Sequence, residues 1–178
     1  MHQIPITKHL GFILLIIAFV LSIRHDFEFK KAELYTSIVC LELKYTTDSV
    51  RSIKNEWKNT NIKDSTLLAH AITGIKWDFL FIIIYSGYLA FYHYQNSSPS
   101  NSWAKAAMVA AIAAGILDVF ENIGMLHSLN QEYIEPWVVW FTATAAQIKF
   151  GLVIFTLGRF LIFGVPEIFC AWLDYVRG

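Results

Sequence analysis

The amino-acid sequence predicts an all-α, polytopic membrane protein. It would have four transmembrane helices, an amphipathic extramembrane helical segment between spans 1 and 2, and a short C-terminal interfacial helix. Of the 178 residues, 56% are hydrophobic and only 16% are charged, well below the roughly 25% charged that is typical of soluble domains. Several apolar runs also approach the ~20 residues that cross a bilayer as a helix. A chain of this length is expected to form one domain, comprising residues 1–178.

The first three spans are predicted from apolar runs and the residues that flank them. No small-x-small cleavage site follows the run from Leu10 to Ile23, so we interpret it as an uncleaved span rather than a signal peptide. Asp64 and Ser65 are suitable N-caps for the second span, and the turn-rich residues 94–102 separate it from the third. With the fourth run included, the predicted spans are about residues 7–24, 66–93, 103–129 and 136–163.

The fourth span and the C-terminus are predicted from proline and glycine. The span is expected to begin at Pro136, because proline is favoured in the first turn of a helix. Gly164 and Pro166 predict its end near Phe163. Residues 167–177 then place most of their apolar side chains on one face, which is typical of a helix lying in the membrane interface.

The segment 24–66 carries much of the charge of the chain and contains apolar residues at helical spacing. Thr46 or Thr47 is a suitable N-cap for its second helical stretch. We interpret the segment as amphipathic helices that lie on the bundle, either as a solvated hairpin or as a functional lid. The apolar positions that carry this interpretation are Val50, Ile53 and Trp57.

Four spans place both termini and the loop 94–102 on one side of the membrane, here called side A. Segment 24–66 and loop 129–135 then lie on side B, which has more Lys and Arg. The positive-inside rule therefore favours the cytoplasm for side B. The net charge of zero gives no indication of nucleic acid as a partner. Cys40 and Cys170 form no C-x-x-C pattern, which argues against a disulfide framework or a cysteine zinc site.

Ionisable side chains recur at one depth in three of the predicted spans. Asp78, Asp118 and Lys149 each lie about 15 residues, or roughly 22 Å, from side A. Glu121 and Asn122 follow Asp118 at i+3 and i+4, so these three side chains share one helix face. Such groups within a span usually face a bundle interior or a water-filled cavity. Further polar residues continue these faces, namely Tyr85, His70 and His127.

These charges are expected to compensate one another inside the bundle. Lys149 beside Asp78 or Asp118 would form an ion pair. The remaining carboxyl groups would be protonated, paired with Arg24 or a histidine, or bound to a cation. The candidate metal ligands are Asp78, Asp118 and Glu121, whose oxygens would suit Mg²⁺ or Ca²⁺, although no motif indicates a cofactor.

Four short motifs resemble an uncharacterised family of small four-span bacterial membrane proteins. The family pattern is F-E-L-x-x-T…W, D-F-L-F-x-x-x-Y, D-x-x-E-N and K-F. It corresponds here to Leu41-Glu42-Leu43-Lys-Tyr-Thr46…Trp57, Asp78-Phe-Leu-Phe81-Ile-Ile-Ile-Tyr85, Asp118-Val-Phe-Glu121-Asn122 and Lys149-Phe150. Leu41 departs from the family's phenylalanine. The resemblance implies a four-span fold in the bacterial inner membrane and adds Glu42 to the candidate site, but it implies no activity.

Three functional hypotheses follow from these residues. The polar residues could form a hydrogen-bonded network that only fixes helix packing or binds a partner subunit. They could form a cation or proton site in a transporter, channel or sensor. They could also form a membrane-embedded enzyme or binder for a lipid headgroup, in which Asp118 and Glu121 act as an acid–base pair. Expected partners are the lipid bilayer and either a second copy of the chain or another membrane protein.

The candidate ligand or ion site therefore comprises seven residues. They are Glu42, Asp78, Tyr85, Asp118, Glu121, Asn122 and Lys149.

Overall fold

A computed structural model describes residues 10–17, 20, 37–62, 65–98 and 100–177, with only the backbone described at 171 and 174–177. Half of the predicted first span lies outside these residues, and 10–17 are helical (α1). The other elements are α2 (Ile38–Glu42), α3 (Thr47–Asn59), β1 (Asn61–Ile62), β2 (Ser65–Thr66), α4 (Leu67–Gln95), α5 (Ser102–Asn130), α6 (Pro136–Arg159), a π-helical turn (Phe160–Gly164) and α7 (Val165–Arg177).

Three of these helices are long and apolar enough to cross a membrane. They are Leu67–Gln95, Ser102–Asn130 and Pro136–Cys170, with mean hydropathies of 1.7, 1.7 and 1.9. At 29 residues, each of the first two is roughly 43 Å long, which exceeds a hydrocarbon core of about 30 Å. The predicted helical class is thereby confirmed, and spans 2 to 4 correspond to helices that could cross a membrane, whereas span 1 stays a prediction.

Two of the predicted helix starts are confirmed and one is wrong. Thr46 caps α3 by accepting a hydrogen bond from the Ser49 backbone N–H, and Pro136 occupies the first turn of α6. Helix α4 is capped by Thr66, whose side chain accepts from Ala69 N–H, and not by Asp64 or Ser65. Asp64 lies outside the described residues, and Ser65 pairs with Ile62 in a two-stranded antiparallel ladder that delays the helix start.

The predicted end of the fourth span near Phe163 is also wrong. The chain stays helical through the π turn, where Val165 N–H donates to Phe160 C=O, and continues as α7. A side chain at Gly164 would place its Cβ 2.5 Å from the Phe160 ring and 2.8 Å from the Tyr92 ring. Gly164 therefore permits close packing instead of ending the helix. The predicted short C-terminal helix exists as α7, and its position in the membrane interface stays a prediction.

Helix α5 is the centre of the bundle, because α4 packs on one side of it and α6 on the other. Its small residues allow this close approach. Four alanines of α5 are fully buried between the neighbouring helices: Ala104, Ala107, Ala111 and Ala114.

Helices α2 and α3 cover the side B end of the bundle. The buried face of α3 carries Val50, Ile53 and Trp57, as its spacing predicted. These residues belong to one apolar core with Leu67 and Leu129 from the ends of α4 and α5. Segment 37–62 is therefore folded onto the helices at side B, directly above the polar residues of the spans.

We expect Gly115→Ala to destabilise the bundle, because the added Cβ would lie 2.7 Å from Ser86 Cβ. No rotamer of serine moves its Cβ, so α4 and α5 would have to separate. The free energy of unfolding in detergent–lipid micelles should fall by about 1–3 kcal/mol.

Gly151→Ala is the matched control, since nothing lies within 4 Å of a Cβ built there. It should be neutral, or stabilising by up to about 1 kcal/mol through helix propensity. Equal effects of the two substitutions would contradict close packing at Gly115.

Candidate functional site

The candidate site is centred on the ammonium group of Lys149, which α6 places inside the bundle. Its Nζ lies 3.0 Å from Asp118 Oδ1 and 2.9 Å from Glu121 Oε1. The other Glu121 oxygen is 2.7 Å away, and Glu42 Oε2 is 3.6 Å away. Lys149 is only 6% exposed. One buried cation is thus shared by three carboxyl groups.

Helix α5 supplies the central acids, because Asp118 and Glu121 stand one turn apart on the face towards α6. Asp118 also accepts a hydrogen bond of 2.7 Å from the Tyr85 hydroxyl of α4. Asn122, the next residue of α5, donates a hydrogen bond of 2.8 Å to Asp78 Oδ2, also on α4. All three residues of the α5 motif are buried, and each uses its polar atoms towards a neighbouring helix.

Glu42 enters the site from outside the three candidate spans. Ser37 caps the short helix α2 by accepting from Cys40 N–H at 3.3 Å. The helix then directs Leu41 and Glu42 inwards, where both are buried. Glu42 Oε2 and Glu121 Oε2 lie 3.6 Å and 2.7 Å from the same Lys149 ammonium. Two carboxyl groups that meet at one ammonium can share a hydrogen bond only when one of them carries a proton.

Burial raises the pKa of Glu42, and the neighbouring Lys149 ammonium opposes that rise only in part. Asp118 and Asp78 raise the pKa further through like-charge repulsion. Three carboxyl groups therefore contact one lysine, and a fourth, that of Asp78, lies near enough to repel the Glu42 carboxylate. Full ionisation of all four would leave an uncompensated charge in a low-dielectric interior, which is strongly unfavourable. The geometry therefore favours at least one protonated carboxyl group.

The structure brings together all seven residues predicted for the site, but it differs from the sequence interpretation at several points. Lys149 contacts Asp118 and not Asp78, which is bonded to Asn122 instead. His70 bonds to Ser65, and the His127 side chain is exposed. Neither histidine compensates the carboxyl groups, and Arg24 lies outside the described residues.

The proposed metal ligands Asp78, Asp118 and Glu121 do not fit a divalent cation. Within the described ranges, no group of three or more His, Cys, Asp or Glu side chains is arranged to hold a metal. The Lys149 ammonium takes the central position that a cation would need. The carboxylate oxygens converge on donor groups of the protein, namely the Lys149 ammonium, the Tyr85 hydroxyl and the Asn122 amide.

The cluster is closed off from the surface, because Glu42, Asp118, Glu121 and Lys149 are each at most 8% exposed. A cavity of about 10 Å³, lined in part by Leu41 and Thr142, lies near it. A single water needs about 10–15 Å³ of such space. A lipid headgroup therefore does not reach these side chains while α2 covers them.

A second cluster of polar side chains lies at the side A end of the bundle. The sequence did not predict it, because its residues are far apart along the chain and lie near the ends of their helices. His93 Nε2 lies 3.1 Å from Thr156 C=O, and Arg159 Nη1 lies 3.2 Å from His93 Nδ1. The Tyr92 hydroxyl donates to Glu167 Oε2 at 3.2 Å. The only available signal was a basic residue in the last turn of both α4 and α6.

Comparisons with protein-family models, with curated proteins and with solved structures find no match. The resemblance to a four-span family therefore stays a prediction. The function is therefore inferred from the geometry of the cluster.

We expect Lys149→Met to destabilise the protein by about 3–5 kcal/mol, because removal of one partner leaves buried carboxylates without compensation. The measurement is the free energy of unfolding in detergent–lipid micelles. Asp118→Asn with Glu121→Gln in the same chain should restore part of the loss.

The matched control is Lys105→Met on the exposed face of α5, which should change stability by no more than about 0.5 kcal/mol. A loss that the two amide substitutions do not relieve would show that Lys149 stabilises through its packing and not through its charge.

Proposed function

We propose that this chain is a multi-pass membrane protein whose carboxylate–lysine cluster binds and exchanges a proton. The cluster comprises Glu42, Asp78, Tyr85, Asp118, Glu121, Asn122 and Lys149. The observation that carries the proposal is the convergence of the Glu42, Asp118 and Glu121 carboxyl groups on a single buried ammonium. Intramembrane acids and lysines of this kind serve proton relays in pumps and transporters.

The shared proton sits where α2 meets the bundle. With the proton present, Glu42 and Glu121 can share a hydrogen bond and Lys149 compensates the remaining charge. When the proton leaves, two carboxylates face each other in a buried space and repel. Because Glu42 belongs to α2 and Glu121 to α5, this repulsion acts to separate α2 from the spans.

Helix α2 is the element that can respond. It has five residues, of which only Leu41 and Glu42 are buried, whereas α4, α5 and α6 pack along their lengths. Elements with few buried contacts open at lower free energy than the core. Proton release is therefore expected to undock α2 and to open the cluster towards side B.

A fixed packing network is the second candidate function, supported by the small cavity beside the cluster. In that case the protonation state would not change under conditions in which the protein stays folded. The lipid-headgroup hypothesis requires α2 to be displaced first, because the docked helix leaves no room.

The proposal is tested by infrared difference spectroscopy of the protein in lipid bilayers during a pH titration. A protonated carboxylic acid has its own C=O stretching band. We expect this band to disappear as pH rises in the wild type, and to be diminished in Glu42→Gln and in Glu121→Gln.

Glu132→Gln, in the exposed α5–α6 loop, is the matched control and should leave the band unchanged. A band that is absent from the wild type, or identical in all variants, would contradict a shared proton at this contact.

We expect the docking of α2 to weaken as pH rises. Because burial raises the pKa of Glu42, the docked form holds a proton at pH values where a solvent-exposed glutamate has lost it. The stabilisation is fully present below the ordinary pKa of glutamate and is lost as pH rises through the raised value.

Alkylation of Cys40 reports this opening, since Cys40 lies on α2 and is only partly exposed. With Cys170→Ser to remove the other thiol, the rate corrected for thiolate content should increase with pH in the wild type. Glu42→Gln, which stays uncharged, should show a flat corrected rate, and an equal increase in both proteins would exclude Glu42 as the trigger.

Proton flux into liposomes separates a transporter from a sensor. A transporter should acidify the lumen under an imposed gradient, and Asp118→Asn should abolish that flux. A sensor should give the infrared and alkylation responses with no flux above protein-free liposomes.

A further inference from the structure

A second cavity lies at the side A end of the bundle, far from the carboxylate–lysine cluster. It has a volume of about 690 Å³, within the range of about 300–1,000 Å³ typical of small-molecule pockets. Its position is set by the α4–α5 turn, by Trp103 at the start of α5 and by Arg159 in the last turn of α6. These helix ends correspond to the membrane–water interface on side A, where tryptophan and tyrosine are enriched.

Arg159 provides the cation of this pocket. Its guanidinium contacts two neutral groups, His93 Nδ1 at 3.2 Å and the Phe163 ring at 5.3 Å to the centroid. Arg159 forms no salt bridge with a carboxylate in the part of the chain that the structure describes. Arg159 lines the cavity, and its guanidinium carries five N–H donors, one of which lies against His93.

His93 orients the guanidinium without neutralising it. Its Nε2 lies 3.1 Å from the Thr156 carbonyl oxygen, which can only accept, so Nε2 must carry the hydrogen. In the neutral ring, Nδ1 is then the acceptor for Arg159. The His93 side chain is fully buried, and the arginine is held by a group that adds no charge to the pocket.

The walls of the pocket are apolar on the outer face of the bundle. The most exposed wall residues are Trp103 at 69%, Ile162 at 66% and Phe163 at 59%. In a bilayer this face meets acyl chains. A soluble phosphate ester would gain nothing from it, whereas a lipid would use both the cation and the apolar wall. Glu167 also lines the pocket, where it accepts a hydrogen bond from the Tyr92 hydroxyl.

We propose that this pocket binds a membrane phospholipid by its phosphodiester group. Arg159 binds the phosphate through charge-assisted hydrogen bonds, which are stronger than neutral ones. The acyl chains lie against Phe155, Ile162 and Phe163. The site is independent of the proton-binding cluster, and it rests on the proposed function only in that both place the chain in a membrane.

Native mass spectrometry of the delipidated full chain in mild detergent tests the proposal, with phosphatidylethanolamine as the probe. We expect a one-to-one adduct in the wild type and an affinity about tenfold lower in Arg159→Gln. Arg51→Gln is the matched control, because Arg51 is an exposed arginine on α3 that pairs with Asp48. Its adduct should equal that of the wild type.

A second variant keeps the charge and fills the space. Nothing lies within 4 Å of a Cβ at Gly158, and Gly158 lines the pocket. Gly158→Leu should therefore fold and should weaken the adduct by about tenfold or more. Gly151→Leu, at an equally open position outside the pocket, should leave the adduct unchanged.

Two further probes identify which part of the lipid is recognised. Diacylglycerol with the same acyl chains lacks the phosphate and should bind at least about tenfold more weakly than the phospholipid. Glycerophosphoethanolamine lacks the chains and should also bind weakly. The proposal is overturned if diacylglycerol binds equally, if the soluble headgroup binds equally, or if the wild type gives no phospholipid adduct.

Discussion

The buried ammonium of Lys149 is the constraint on which the rest of the bundle depends. An isolated ammonium inside a membrane bundle is unfavourable by several kcal/mol, so α6 can enter the bundle only if carboxylates meet it there. Asp118 and Glu121 do so from α5 at 3.0 Å and 2.7 Å. Contacts this short require α5 and α6 to lie close together. The buried alanines and Gly115 of α5 allow neighbouring helices to approach it.

Polar side chains are stabilised in different ways at the two ends of the bundle. At side B, acids and a lysine compensate one another and are buried beneath α2. At side A, Arg159 is supported by a neutral histidine and faces a cavity of about 690 Å³. Internal compensation at one end favours a proton, whereas an arginine beside open space at the other favours an external anion.

Three tyrosines of α4 lie between the two ends, at positions that face α5 and the C-terminal helices. Tyr85 bonds to Asp118 at the cluster, and Tyr92 bonds to Glu167 at the side A pocket. Tyr88, between them, packs edge-on against Phe160, with ring centroids 5.6 Å apart. Phe160 belongs to the π turn that lets the chain continue past Gly164, so the same irregular turn that keeps α7 helical also completes the core between the sites.

The sequence by itself determined the helical class, the three helices that are long and apolar enough to cross a membrane, and the level at which the polar residues lie. These properties follow from local rules: the length of apolar runs, a rise of about 1.5 Å per residue and the i, i+3, i+4 face of a helix. Those rules placed Asp118, Glu121 and Asn122 on one face and Lys149 at their depth without any knowledge of the partner helices.

Only the tertiary structure decided which side chains meet. The rotation of each helix about its own axis sets which side chains meet. It places Lys149 against Asp118 and Glu121, and Asp78 against Asn122. The spacing of residues along one helix does not determine that rotation. Glu42, which depth could not place and only the resemblance suggested, joins because α2 folds back over the bundle. The pairing of His93 with Arg159 could not be predicted from the sequence for the same reason, since the two residues are 66 positions apart and come together only because α4 and α6 both pack on α5.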